Sequence, residues 1–252
     1  MIIAVTNQKG GVGKTTTSQA LASGLHATGC KVLIIDLDPQ ANLSTALNVD
    51  NRQLTIYEVL KKEVGIVEAI QTTSSGDIIP ANILLSAAEM EFTMLGREQL
   101  LKEALTEIQK NYDYIVIDTP PALSILTINA FTAAQKLIIP MEADMFSLQG
   151  LGQLHTTILQ VKKYSNKDLE IGGILLTKHN PRTNLAKDIL ENLNTLIKQL
   201  NTRLFKTTIR ASISIREAQI SQMDIIDYAP NSNAQTDYRN FVAEFLSEVE
   251  HG

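Results

Sequence analysis

Apolar residues along the chain fall into short uninterrupted runs that alternate with longer segments of helical spacing. The run Ile2–Thr6 leads into Gly10-Gly11-Val12-Gly13 and predicts a buried strand followed by a tight loop. Thr15–Thr28 has apolar residues at helical spacing and ends at Gly29, which is typical of a helix C-terminus. Lys31–Asp36 predicts a second buried strand. Strand, helix and strand in succession indicate a βαβ unit with parallel strands.

The same alternation continues along the rest of the chain. Further helices are predicted over Thr55–Lys62, Ser86–Lys110 (with a break at Gly96), Ser147–Tyr164, Leu185–Leu200 and Ala234–Val249. Further strands are predicted over Tyr112–Asp118, Leu137–Pro140, Ile171–Thr177 and Thr207–Ile209. Because no linker, repeat or low-complexity segment interrupts the pattern, we predict one α/β domain over residues 1–252. Its expected form is a single doubly wound, mostly parallel β-sheet with helices on both faces.

The loop after the first predicted strand has the composition of a phosphate-binding site. It reads Lys9-Gly10-Gly11-Val12-Gly13-Lys14-Thr15-Thr16. Glycines let several backbone N–H groups approach phosphate oxygens, and the start of the next helix adds the positive end of its dipole. In this arrangement Lys14 contacts the β- and γ-phosphates and the Thr15 hydroxyl coordinates Mg²⁺. The generic loop has glycine where this chain has Gln8, and Lys9 adds a second lysine.

Three acidic residues follow predicted strands. Asp118 ends a buried run, where its carboxylate can approach a magnesium ion. Asp36 and Asp38 flank Leu37, and alternate residues of an extended chain point to the same side, so both carboxylates can face the phosphate loop. The structural alternatives are a helix cap for Asp118 and a turn for Asp36.

The composition is that of a folded globular chain. Of its 252 residues, 44% are hydrophobic and 19% are charged, which excludes intrinsic disorder. No segment has the ~18 consecutive apolar residues of a membrane span, and no signal peptide precedes the first strand. The single cysteine, Cys30, excludes an intrachain disulfide framework and a cysteine cluster for a metal. These features predict a soluble, cytoplasmic protein.

The net charge of −5 conceals an uneven distribution. Residues 1–150 carry ten Lys or Arg against sixteen Asp or Glu, whereas residues 151–220 carry eleven against five. Residues 221–252 carry one basic residue against six acidic ones. The basic segment is either a solvated surface or a site for a polyanion, and charge alone leaves both interpretations open.

Several segments resemble the deviant Walker A ATPases and, among these, the small Soj-like members of the ParA-type partition ATPases. The segments are the loop at residues 9–16, Asp36–Asn42, Ile115–Pro121, Thr177–Asn184 and Ile215–Ala218. The similarity extends from the first strand to about Phe241. It implies a P-loop NTPase fold and a magnesium-dependent ATPase, with no N-terminal extension to hold a helix-turn-helix.

The resemblance also implies a role for individual residues. Lys9 would reach across a homodimer interface to the partner's phosphates, so that two ATP molecules are enclosed between two subunits and hydrolysis requires dimerisation. Asp38 would orient the attacking water, and Asp36 would support magnesium-bound waters. The expected catalytic residues are Lys9, Lys14 and Asp38, and the expected metal-site residues are Thr15, Asp36 and Asp118.

Members of the family bind double-stranded DNA without sequence preference when dimerised on ATP, and a ParB-type centromere-binding protein stimulates hydrolysis and release. The resemblance therefore implies a nucleoid-associated protein that segregates a plasmid, a chromosome origin or a mobile element. Arg182 matches a DNA-contacting arginine of the family, whereas another such arginine falls at Ser214, where the usual Ile-Pro-Arg-Asn is missing. The other basic candidates are Lys178, Lys187, Lys198, Arg203, Lys206, Arg210 and Arg216.

Two other functions stay open at this point. A MinD-like membrane ATPase requires a basic amphipathic tail, but Phe241–Gly252 contains three glutamates and no Lys or Arg, so we expect no membrane binding. A P-loop metabolic synthetase that forms amides would use ATP only with its substrate and would not respond to DNA.

Overall fold

A computed structural model describes residues 1–179, 193 and 195–251. The strands in this part of the chain are β1 (Ile2–Val5), β2 (Val32–Asp36), β3 (Gln71–Thr73), β4 (Gly76–Ile79), β5 (Tyr114–Asp118), β6 (Lys136–Met141) and β7 (Glu170–Leu176). They form one sheet in the order β3-β4-β2-β5-β1-β6-β7. Only the β3–β4 pair is antiparallel among these strands, which confirms the prediction of a mostly parallel sheet.

Helices cover both faces of this sheet. The α-helices of the described residues are α1 (Lys14–Ala27), α2 (Asn42–Ala46), α3 (Ile56–Leu60), α4 (Ala88–Glu91), α5 (Leu100–Leu105), α6 (Ile125–Ala133), α7 (Met145–Tyr164), α8 (Ile213–Ile220), α9 (Ile225–Tyr228) and α10 (Asn233–His251). Short 3₁₀ turns lie at Ile66–Ala69, Ile83–Ala87, Arg97–Gln99 and Gln109–Asn111. Within the described ranges, none of the helices has the length and apolar character required to cross a bilayer.

The two faces are built from alternate residues of the same strands. Ile2 and Ala4 of β1 belong to the hydrophobic cluster that contains α3, α5, α6 and α7. Ile3 and Val5 belong to the cluster that contains α1, α8, α9 and α10. Because successive strand side chains point to opposite faces, a strand covered on both sides must be apolar at every position. The doubly wound prediction is therefore confirmed.

The strand register brings the predicted site residues to one edge of the sheet. Asp118 of β5 is level with Asp36 of β2 and with Val5 of β1. The chain segments that leave these three parallel strands therefore begin side by side. The glycine loop follows β1 and Asp38 follows β2, so residues far apart in sequence meet at the carboxyl end of the sheet.

Two predicted elements differ from the structure. The break predicted at Gly96 is confirmed, but the helix on either side of it is shorter than predicted, because residues 86–110 contain only α4, α5 and short 3₁₀ turns. Thr207–Ile209 is not a strand: the segment makes only isolated bridges, of Leu204 to Ile174 in β7 and of Arg210 to His179 beyond the end of β7. The helix predicted over Leu185–Leu200 falls mainly on residues outside the described part of the chain.

The contact between α1 and α10 provides a test of the packing. A Cβ atom at Gly24 of α1 would lie 2.6 Å from the side chain of Val242. We expect Gly24→Ala to lower the free energy of unfolding by about 1–3 kcal/mol, because the branched Val242 side chain cannot yield without repacking. Gly152→Ala in α7 is the matched control, since a Cβ atom there meets nothing within 4 Å.

For Gly152→Ala we expect a gain of about 0.5–1 kcal/mol from helix propensity. Urea unfolding of both variants would measure the two effects. Equal stability changes in the two variants would contradict the proposed close packing of α1 against α10.

Candidate functional site

The glycine loop between β1 and α1 exposes backbone N–H groups at the start of a helix. Gly11 and Gly13 have φ angles of +74° and +88°, a region that other residues rarely adopt, and Lys14 begins α1 directly afterwards. No side chain of the described residues caps this helix start. Its free N–H groups and its positive dipole end therefore suit an anion with several oxygens, such as a phosphate chain.

A cavity of about 1040 Å³ opens beside this loop. The loop and the start of α1 form one wall, and Asp38, Gln40 and Asn42 form a second. Thr177, Lys178 and residues from the segment between Ile209 and Gln219 line the rest of the cavity. The cavity volume is at the upper end of the range that is typical of small-molecule sites.

Lys14 supplies positive charge inside this cavity. Its residue exposure is 7%, and its Nζ donates a hydrogen bond to the Lys9 carbonyl oxygen at 3.4 Å. Burial lowers the pKa of the Lys14 ammonium, and the nearby carboxylates of Asp118 and Asp38 offset this only in part. A buried ammonium with few acceptors of its own is well placed to bind an anionic ligand.

Asp118 lies under the start of α1 and accepts hydrogen bonds from two hydroxyl groups. Thr15 Oγ1 donates at 2.8 Å and Ser18 Oγ at 2.9 Å. Burial, followed by the charge of Asp36, raises the pKa of Asp118 to about 7. Ser18 was missed at the sequence level, although its position one helical turn after Lys14 and Thr15 places it on the same face of α1.

Asp36 is fully buried and does not line the cavity. Its oxygens accept hydrogen bonds from the Asp38 backbone N–H and from both the N–H and hydroxyl of Ser44 in α2. Burial raises the pKa of Asp36 to about 6 in spite of these bonds. Of the two residues expected to face the loop, Asp38 lines the cavity and Asp36 does not, because Ser44 and the Asp38 backbone hold the Asp36 carboxylate inside the protein.

Asp38 is the carboxylate that lines the cavity from the β2 edge. Its Oδ1 accepts a hydrogen bond from the Gln40 N–H at 3.0 Å, which fixes the turn after β2. The residue exposure is 7%, so the side chain faces the cavity from a sheltered position. This is the placement expected of a group that orients a water molecule next to bound phosphates.

The donor set at this edge fits a magnesium ion. Thr15 Oγ1 and the Asp118 carboxylate are hard oxygen ligands, and the buried Asp36 beside them adds negative charge that a cation would stabilise. The part of the chain that the structure describes holds no cluster of three His, Cys, Asp or Glu suited to a metal. With only Thr15 and Asp118 as protein ligands, the site suits an ion that takes its other ligands from phosphates and water.

Lys9 is held by carboxylates of its own chain. Its Nζ lies 2.7 Å from Asp144 Oδ2 and 3.4 Å from Glu142 Oε2. Burial acts to lower the pKa of Lys9, but these two carboxylates outweigh it and the pKa is raised. Glu142 and Asp144 were missed at the sequence level. The sequence did contain a sign of them, because both follow the predicted strand Leu137–Pro140 and so lie at the sheet edge where the other site residues are expected.

The predicted DNA-contacting residues differ in whether their side chains are paired with other residues of the protein. Arg182 and Lys187 lie outside the described residues. Arg210 binds Asp237 of α10 through its backbone N–H, Nε and Nη2. Arg203 donates to the Gly172 carbonyl oxygen and pairs with Glu248.

Arg216, by contrast, is exposed on α8 at the rim of the cavity. Arg210 and Arg203 are thus paired with neighbouring elements of the fold. Arg216 differs from both, because it is exposed and no other described residue pairs with it.

Comparisons with known proteins identify the family. Residues 1–171 match the model of a family described as an AAA domain. The chain is 40% identical over 248 residues to the sporulation initiation inhibitor protein Soj of Bacillus subtilis (strain 168), covering 96% of this chain and 97% of Soj. It is 36% identical over 253 residues to the chromosome partitioning protein ParA of Caulobacter vibrioides (strain NA1000 / CB15N), covering 98% and 94%.

A solved structure extends the comparison to the fold. A cobyrinic acid a,c-diamide synthase from Mycobacterium smegmatis with bound ADP and magnesium matches with a TM-score of 0.85 at 32% identity. The match covers 99% of this chain and 95% of that one. The chain is therefore similar in sequence to proteins whose names indicate partition and similar in fold to one whose name indicates a synthase.

Proposed function

Because the chain belongs to the AAA-domain family, and within it to the Soj-like ParA-type partition ATPases, we propose that it hydrolyses ATP with Mg²⁺ to drive DNA partition. The observation that carries the proposal is the cavity where the glycine loop, Lys14 and Asp38 converge. In the proposal, residues 1–252 act as one ATPase domain in the cytoplasm, associated with the nucleoid.

In the proposed reaction, the backbone N–H groups of residues 10–16 and the Lys14 ammonium bind the phosphates. Thr15 and Asp118 would hold Mg²⁺, which when bound neutralises negative charge on the phosphates. Asp36, at the end of β2 beside Asp118, would support the magnesium-bound waters without lining the cavity itself. Asp38 accepts a hydrogen bond from the attacking water and holds it in line with the terminal phosphate.

Lys9 would complete the site of a second subunit. In the proposed dimer two nucleotides lie between two copies, and each Lys9 contributes positive charge to the partner's phosphates. Support for this comes from its position at the edge of the loop with a third of its side chain exposed, whereas Lys14 points into the cavity. The two lysines of the loop therefore have separable functions.

We expect Lys9→Ala to spare most of the ATP affinity while impairing the ATP-dependent dimer and turnover. The reason is that Lys14 and the loop N–H groups stay in place within the subunit. Sedimentation with ATP beside a nucleotide titration measures both effects. Lys62→Ala, at an exposed lysine paired with Glu103, controls for the loss of one positive charge. A Lys9→Ala protein that dimerises and hydrolyses ATP like the parent would rule out the role across the interface.

The ATP-bound dimer is proposed to bind double-stranded DNA without sequence preference through the basic segment 151–220. Contacts to backbone phosphates alone would make this affinity strongly dependent on salt. We expect binding only with ATP, and a steep loss of affinity between about 50 and 200 mM salt. Equal DNA affinity with and without ATP would contradict this proposal.

The arginines of the basic segment allow a sharper test. Arg216→Ala should weaken DNA binding and reduce the salt slope by about one, because an exposed phosphate contact is lost. Arg210→Ala should instead lower the melting temperature, because Asp237 loses its partner. Filter binding across a salt series, beside thermal unfolding, distinguishes the two effects. A salt slope that is unchanged in Arg216→Ala would remove that residue from the DNA surface.

A ParB-type centromere-binding protein is the proposed partner that stimulates hydrolysis and releases the dimer. The proposed cargo is a plasmid, a chromosome origin or a mobile element. The deciding experiment measures phosphate release with DNA, with a ParB-type centromere-binding protein, and with both. We expect turnover to rise most with both together, and an ATPase indifferent to either would overturn the partition proposal.

A metabolic synthetase is the second candidate, and the likeness to the diamide synthase structure favours it. Such an enzyme would hydrolyse ATP only with a small carboxylate substrate and an amide donor, with no response to DNA. A membrane-associated role finds less support, because α10 buries Phe241 and Phe245 in the core and binds the loop at residues 206–207 through Glu244.

A further inference from the structure

Four charged side chains form a row beside the phosphate loop. Asp144 contacts Lys9, Lys9 contacts Glu142, and Glu142 Oε1 contacts Lys178 Nζ at 2.9 Å. About a quarter to a third of the side chains of Lys9, Glu142 and Asp144 is exposed. Lys178 lines the cavity, so one end of the row adjoins it and the other three side chains are partly open to solvent. In the proposed dimer a second copy of the chain would approach this row.

The carboxylates of this row are fixed by the fold. Both follow β6, which pairs directly with β1, the strand that leads into the glycine loop. Asp144 also begins α7, where its Oδ1 accepts from the Ser147 N–H at 3.0 Å and its Oδ2 from the Ser147 hydroxyl at 2.9 Å. These bonds hold the Asp144 carboxylate in one orientation, so Lys9 meets a preformed acceptor rather than a mobile one.

An ammonium group has three N–H donors, and in the single subunit two of them are directed at Asp144 and Glu142. The backbone at Lys9 is held by a hydrogen bond from the Lys9 N–H to Asn7 Oδ1 at 3.0 Å. A move of the ammonium to another anion therefore requires the side chain to leave the two carboxylates. The contact within the subunit and a contact across the interface compete for the same group.

We propose that Glu142 and Asp144 hold Lys9 within the single subunit and thereby oppose ATP-dependent pairing of two copies. The inference rests on the proposed function of Lys9 at the partner's phosphates. Two ATP molecules overcome the restraint, because in the proposed dimer Lys9 meets the phosphates in an enclosed interface, where a charge pair is stronger than at the partly exposed carboxylates. The pair Glu142 and Asp144 thus raises the ATP and protein concentrations at which the dimer forms.

The size of the effect follows from the exposure of the ion pairs. Partly exposed pairs of this kind change an equilibrium by about two- to fivefold. Each dimer requires the release of two Lys9 side chains, so the factor for one subunit is squared. Removing the restraint should lower the dimer dissociation constant by about four- to 25-fold.

The experiment replaces the carboxylates by their amides. Asp144→Asn keeps an oxygen that caps α7, and Glu142→Gln keeps the side-chain length, so both preserve local structure. Sedimentation equilibrium with a non-hydrolysable ATP analogue measures the dimer dissociation constant. We expect it to fall in both variants, more in Asp144→Asn because that contact is shorter, and most in the double variant. Glu170→Gln, at the start of β7, controls for the change in net charge.

The same substitutions in a Lys9→Ala background decide between mechanisms. With no lysine to hold, Asp144→Asn and Glu142→Gln should leave the dimer dissociation constant unchanged. An equal shift in both backgrounds would show a general charge effect, and a weaker dimer in the parent background would show that the carboxylates support pairing; either result overturns the inference. If Lys9→Ala alone leaves the dimer unaffected, the proposed function of Lys9 has failed instead. Melting temperatures without nucleotide verify that each variant is folded.

Discussion

Lys14→Ala should abolish ATP binding at concentrations where the parent protein is saturated. The ammonium of Lys14 is buried at the base of the cavity, close to the carboxylates of Asp118 and Asp38. Its removal leaves those negative charges facing the triphosphate without the cation between them. The loss of one partner from a buried charge pair costs about 3 kcal/mol or more, which is over ~100-fold in Kd. Calorimetric titration with ATP and Mg²⁺ measures the change.

A matched variant makes this result specific to Lys14. Lys178 lines the same cavity, but 47% of its side chain is exposed and Glu142 pairs with it. Lys178→Ala should therefore change the affinity for ATP by less than about tenfold, because an exposed ion pair contributes little. If Lys14→Ala binds ATP as well as Lys178→Ala does, the glycine loop is not the phosphate site.

The parallel strands could be predicted from the sequence because each is apolar at successive positions. β1, β2 and β5 are buried on both faces, so their runs of Ile, Val and Leu need no periodicity to be recognised. The hairpin of β3 and β4 was missed because β3 is only three polar residues long. Helix α6 was missed for the opposite reason: it is buried on nearly all sides and has no polar face to reveal a helical period.

The candidate site could be predicted where its residues are contiguous. The loop at residues 9–16 carries its own signal, since glycines, lysine and threonine stand at fixed spacing. The partners of these residues could not be predicted in the same way. Ser44 binds Asp36, and Glu142 and Asp144 bind Lys9, only because separate segments meet at the edge of the sheet.

The pairing of Arg210 with Asp237 is a further example of a contact that the sequence does not encode locally. The two residues lie 27 positions apart, and their bond depends on how α10 packs across the sheet. The charge count assigned Arg210 to the basic segment, but Asp237 offsets the positive charge of Arg210. A charge count therefore overestimates how basic the surface of this segment is, and the exposed Arg216 is a better candidate for a contact to DNA.

Asp38→Ala should leave ATP binding nearly intact and reduce turnover by at least ~100-fold. The carboxylate lines the cavity from the β2 edge, outside the glycine loop, so its removal deletes no phosphate ligand. Its proposed task is to hold the attacking water in line with the terminal phosphate, and positioning of this kind contributes several kcal/mol to a barrier. Phosphate release and nucleotide titration on one sample measure the two properties.

The Asp38 side chain also accepts the Gln40 N–H, so an alanine could act by loosening the turn rather than by losing the water. Asp38→Asn separates these effects, because its amide oxygen can still accept from Gln40 while the negative charge is gone. We expect Asp38→Asn to hydrolyse ATP about as slowly as Asp38→Ala. The ATP-bound dimer of both variants should then persist, and with it the DNA-bound state, even when the stimulating partner is added. Recovery of turnover in Asp38→Asn would assign Asp38 to the turn, and loss of ATP binding in both variants would place it among the phosphate-binding residues.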